Sequence, residues 1–181
     1  MTLLPWGAAL RQPDPLSCGA SVLVVARMLA EEEYAARAAA SFPAEVLALH
    51  RRVTGHRSRD GRAQLPWPRA LGTPPWAVAR ELALVTGVRH RVRRARWSTL
   101  QEAPGRSALY VGNRLLPRHV VLVLAVEADR LRLYDPARGD VVVVRREAFA
   151  AGRLRVAGWD RPWFAVVPDV IRSVGAGARP A

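Results

Sequence analysis

No lysine occurs in this chain: all 28 of its basic residues are arginine, against 15 acidic residues, for a net charge of +13. Asparagine appears once, as Asn113, and isoleucine once, as Ile171. Residue types encoded by A/T-rich codons are therefore scarce throughout, and the arginine excess tracks base composition as readily as it tracks a polyanionic partner. A basic surface favours acidic partners and solubility but specifies no ligand. No specific nucleic-acid binding is expected.

Long apolar runs are missing as well. The wholly uncharged apolar stretch from Val120 to Val126 holds seven residues, against roughly 20 needed to cross a bilayer. Residues 1–10 carry no charged side chain and are broken by Pro5, which is not the basic start of a secretion signal. No membrane span is expected, and the reading is cytoplasmic. No glycine-rich phosphate loop is present. His50 and His56 are six apart, about 240° around a helix, and make a poor metal pair. No metal or cofactor is expected.

Cysteine is the most informative shortage. Cys18 is the only one, so an internal disulfide is excluded, and burial as a small hydrophobe or chemistry as a nucleophile remains. One free thiol agrees with a reducing compartment.

What is present is ordinary for a globular protein: 50% apolar and 24% charged residues, enough for one domain with its own core. One domain over 1–171 is expected, followed by a disordered tail, 172–181, rich in Gly and Ala. From Ala20 to Ala30 the chain is apolar on nearly every side, which predicts a buried helix capped by Ser17. Glu31, Glu32 and Glu33 are unfavourable at a helix C-terminus, so the helix is expected to continue through Ala40 until Pro43 stops it. A second helix is read over Ala44 to Val53. A third is read after Thr73-Pro74-Pro75-Trp76, closing at Gly87.

Beyond Gly87 the period changes. Val88 to Trp97, Ala108 to Gly112, His119 to Val126, Arg130 to Tyr134, Val141 to Arg145 and Phe164 to Val167 read as short strands. The arginine run from Arg89 to Arg96 reads as a solvated edge strand. The six tryptophans read as core packing, with Trp159 and Trp163 placed to shield a site from water. Helices first and strands later define an α+β class with a largely antiparallel sheet.

A cysteine nucleophile needs a helix N-terminus or a cation for its thiolate, a base, a group to orient that base, and donors for an oxyanion. Cys18 opens the buried helix, and Gly19 leaves room for a substrate backbone beside it. His119 starts one strand and Asp135 ends the next, so a hairpin brings the two side chains together. Gln12, six residues before Cys18 on a loop held extended by Pro13 and Pro15, is the candidate oxyanion donor.

Gln12, the Ser17-Cys18-Gly19-Ala20-Ser21 run, the strand opening at His119 and Tyr134-Asp135-Pro136 together resemble papain-like cysteine peptidases. The nearer likeness is to the bacteriocin-processing, double-glycine-leader branch. The resemblance covers roughly Gln12 to Val144. It implies a papain-like fold, in which a nucleophile-bearing helix packs on a C-terminal antiparallel sheet, and hydrolysis of a peptide bond through a thioester. It also implies Cys18 as nucleophile, His119 as base and acid, Asp135 as orienting group, Gln12 as oxyanion donor, and a peptide or protein as partner. The same residue order serves Cys-dependent acyl or amide transfer, and an inactive module that binds peptides is a third reading.

Overall fold

A computed structural model describes residues 4, 10–102 and 106–169. The end expected to be disordered, 172–181, lies outside the described residues. Four helices come first: α1 (Cys18–Met28), α2 (Glu32–Ala40), α3 (Phe42–Val53) and α4 (Pro75–Thr86). Six strands follow: β1 (His90–Arg94), β2 (Ser107–Gly112), β3 (Pro117–Val126), β4 (Arg130–Asp135), β5 (Asp140–Arg145) and β6 (Arg161–Pro168). Two five-residue helices, α5 (Trp97–Gln101) and α6 (Arg146–Ala150), interrupt them.

Every residue of α1 except Arg27 is buried, as its apolar sequence demands. Burial of Val22, Leu23, Val24 and Val25, none more than 1% exposed, contributes about 2 kcal/mol per side chain. Around α1 pack α2, α3, α4 and strand β3. Among the described residues, no helix is long and apolar enough to cross a membrane.

The expected continuous helix through Ala40 is two helices. α1 stops at Met28, and Glu31 is the N-cap residue of α2, with Glu32 and Glu33 in its first turn. The carboxylates that repel a helix C-terminus thus sit at a helix N-terminus, where the macrodipole favours them. Arg27 pairs with Glu31 across the break at 2.8 Å. Pro43 does not stop α2; it occupies the first turn of α3, where its missing N–H costs nothing. α4 ends as expected, on Gly87 in the left-handed conformation at φ 70°.

The strands form one antiparallel sheet in the order β1-β6-β2-β3-β4-β5. Successive residues of a strand point to opposite faces, and both faces of this sheet are covered. Val120, Leu122 and Tyr134 join the helical core, whereas Val121, Val123, Leu131 and Leu133 join a second core with Trp97 and Phe149 of α5 and α6. β1 is an edge strand with four of its five residues exposed, in line with its arginines. It is shorter than expected, because Trp97 opens α5.

Candidate active site

Two connections build the site. Strands β3 and β4 are hairpin neighbours with Leu122 opposite Tyr134, which places His119 and Asp135 diagonally across the same face at the hairpin's open end. His119 Nε2 and Asp135 Oδ1 are 2.7 Å apart. Asp135 is wholly buried and His119 is 5% exposed. Asp135 Oδ1 also accepts the N–H of Ala137 at 3.0 Å.

The second connection is α1. Cys18, its first residue, lines the same cleft as His119 and acts on the charge state of its ring. With Nε2 committed to Asp135, Nδ1 is the nitrogen left to face the sulfur. Burial pulls the ring pKa down, but the hydrogen bond to Asp135 and the interactions with Cys18 and the Asp135 charge outweigh it and raise the pKa to about 9. An imidazolium beside the sulfur is thus the favoured state at neutral pH. Ser17 is the N-cap residue of α1, but its hydroxyl donates to the Asp14 carbonyl at 3.1 Å and makes no cap. The first-turn N–H groups next to Cys18 are left without a capping side chain.

Gln12 is carried to the same end of the sheet by backbone pairing. Its N–H donates to the Pro136 carbonyl at 2.8 Å, and the Tyr134 hydroxyl donates to the Leu10 carbonyl. Gly139, at φ +69°, permits this approach, because a Cβ there would meet the Arg11 nitrogen at 2.9 Å. The Gln12 side-chain amide donates to the Asp14 carbonyl at 2.8 Å, and its Oε1 is buried with no partner among the described residues. An amide nitrogen has two N–H groups; the second is available for another acceptor.

Cys18 and His119 lie in the wall of a cleft of about 560 Å³. Leu16, Trp67, Leu71, Leu116 and Trp159 give it an apolar lining, and among the described residues Arg118 is its one charged residue besides the histidine.

No known sequence family matches the chain, and no curated protein matches it. Its fold does match. The peptidase domain of Streptococcus ComA, a bifunctional ABC transporter involved in quorum sensing, superposes with a TM-score of 0.50 at 18% identity, covering 87% of this chain and 96% of that domain. The fold is that of the papain-like peptidases. A double-glycine-motif protease from an AMS/PCAT transporter, solved in complex with the leader peptide, gives a TM-score of 0.44 at 18% identity, over 89% of this chain and 91% of that one.

Within this papain-like fold the four sequence candidates fall at one end of the sheet, but one supporting idea changes. Gly19 does not open space for a substrate. A Cβ there would meet Thr73 Cβ at 2.6 Å, so the bare glycine admits the loop that precedes α4. Residues that the sequence reading left out hold this wall. The Tyr110 hydroxyl donates to the Thr73 carbonyl at 2.9 Å, and its ring stacks on Phe164 with centroids 4.5 Å apart. Burial, and secondarily the negative charge of Cys18, push the Tyr110 pKa well above its ordinary value. Nothing in the sequence of β2, buried throughout, marks Tyr110 apart from any other inward-facing aromatic.

The tryptophans divide. Trp97 is in the core, and Trp159 lines the cleft as expected. Trp67 and Trp76 pack edge to face at 5.0 Å, with Trp76 39% exposed. Trp163 lines a neighbouring cavity instead of the cleft.

Proposed function

We propose that the chain is a cysteine peptidase that hydrolyses a peptide bond through a thioester acyl-enzyme, acting as one domain over 1–171 in a reducing, cytoplasmic setting. The observation that carries this reading is the buried His119–Asp135 hydrogen bond, with Cys18 lining the same cleft as the ring. A core cysteine has no need of such a partner. The likeness of fold to a peptidase domain agrees with it, and the site supplies the chemistry.

The sulfur of Cys18 attacks the substrate carbonyl, and the carbonyl π pair moves onto oxygen. The oxyanion formed would be met by the N–H of Cys18 at the uncapped start of α1 and by the second N–H of Gln12 Nε2. His119 then gives its proton to the leaving nitrogen as the C–N bond breaks, which leaves the acyl group on sulfur. In the second half the neutral ring takes a proton from water, hydroxide adds to the thioester, and collapse releases the carboxylic acid and restores the Cys18–His119 pair. Asp135 fixes the tautomer and stabilises the charged ring. Apolar cleft walls suit a peptide with apolar side chains flanking the bond.

Incubation with a peptide library, followed by intact-mass detection of an acyl adduct on Cys18, tests this. Cleavage products that disappear in Cys18→Ala are the expected result. Cleavage unchanged by that substitution would end the proposal.

A further inference from the structure

Beside the catalytic cleft lies a second cavity, of about 740 Å³. Arg94, Arg96, Arg114 and Arg161 line it together with Trp97 and Trp163, and among the described residues no acidic one does. None of the four guanidinium groups has a carboxylate partner among the described residues. Four like charges around one concave site raise a strong positive potential that an anion relieves.

Two of the lining side chains, Arg161 and Trp163, are held by their neighbours. Arg161 is half-buried and its side chain lies across Gly152, where a Cβ would meet Cδ at 2.9 Å. The indole N–H of Trp163 donates to the Asn113 carbonyl at 3.0 Å. Asn113 lines the catalytic cleft as well as this cavity, so a chain leaving the cleft past Asn113 enters the arginine-lined space.

We infer that this cavity binds an acidic segment of the peptide substrate, next to the bond that is cut. The inference rests on the peptidase reading for the word substrate, but the binding itself does not require catalysis. The arginines come from the end of β1, the β2–β3 loop and the start of β6, a distribution around the wall that suits carboxylates repeated along a peptide. Guanidinium groups take carboxylates in two-point fashion, and the indole faces pack the intervening backbone.

The test uses the whole 181-residue chain carrying Cys18→Ala, which lacks the proposed nucleophile, with a fluorescein-labelled oligoglutamate peptide, an oligoglutamine control and inorganic pyrophosphate as competitor. Oligoglutamate is expected to bind and oligoglutamine not to. Arg161→Ala and Arg94→Ala are each expected to weaken binding about tenfold. Gly152→Ala, which displaces the Arg161 side chain while keeping its charge, should weaken binding as well, whereas Arg51→Ala on the far α3 surface should not.

Equal losses for Arg51→Ala and Arg161→Ala would mean that only net charge is being read, and the site would be wrong. Binding of pyrophosphate without oligoglutamate would overturn the peptide assignment, as would no binding at all. Iodoacetamide labelling of the native protein carrying Cys18, measured in parallel, keeps the two readings apart: loss of oligoglutamate binding with Cys18 still His119-dependent sinks this inference alone.

Discussion

His119 and Asp135 meet through a 2.7 Å hydrogen bond across a hairpin, with the carboxylate wholly buried and its second oxygen, Oδ2, without a partner among the described residues. A buried carboxylate left half-satisfied is costly unless a positive charge is held against it. The imidazolium of His119 is that charge.

The first prediction concerns Asp135→Asn. Asp135 acts to raise the His119 pKa toward about 9, so removing its charge should move the alkaline limb of the pH–rate profile to lower pH and cut turnover about 100-fold or more. A pH profile of cleavage for parent and variant decides it. An unmoved alkaline limb would detach Asp135 from His119 function.

Stability should respond to pH through the same ring. Its folded pKa, about 9, lies above the ordinary histidine value of 6.5, so the folded state binds the extra proton between the two. The contribution is fully present below about pH 6.5 and is lost as pH rises through about 9. Urea unfolding across that window should show stability falling with pH in the parent and falling less in His119→Gln. Equal slopes for the two proteins would contradict the assignment.

Gly19→Ala should disturb the cleft wall, because the new Cβ would overlap Thr73. A loss of about 1–3 kcal/mol is expected from overpacking. Thr73→Gly in the same chain should return much of it, since it removes the colliding atoms. A thermal-unfolding double-mutant cycle measures the coupling, and additive losses would show that the contact is not a constraint.

Gln12→Ala should leave the fold intact, because its main-chain bond to Pro136 does not involve the side chain. It should cost about 3 kcal/mol in kcat/KM if the amide supplies one oxyanion donor. A full-rate Gln12→Ala enzyme would leave that position to backbone N–H groups alone.

Much of this arrangement was legible in the sequence for local reasons. Apolar residues on all sides of α1 mark a buried helix, short apolar runs mark β2 and β3, and period-two alternation marks β4. A hairpin fixes where a strand-start histidine and a strand-end aspartate must go. Less legible were features set by tertiary context. The break between α1 and α2 turns on whether Glu31 continues one helix or starts another, and composition alone does not choose. Five-residue helices such as α5 and α6 are too short to show a period. Thr73 enters the site only because Gly19 is bare, a contact between residues 54 positions apart. Tyr110 looks like any inward strand residue until its neighbours are known.

The most direct test of the account is alkylation of Cys18, since the chain has no other thiol and intact mass reads that one atom. Native protein would be treated with iodoacetamide at about pH 6, where most free thiols are protonated, alongside His119→Ala. The account predicts rapid single labelling of the parent and labelling slowed at least about tenfold in the variant. Labelling only after denaturation, or at one rate in both proteins, would contradict it.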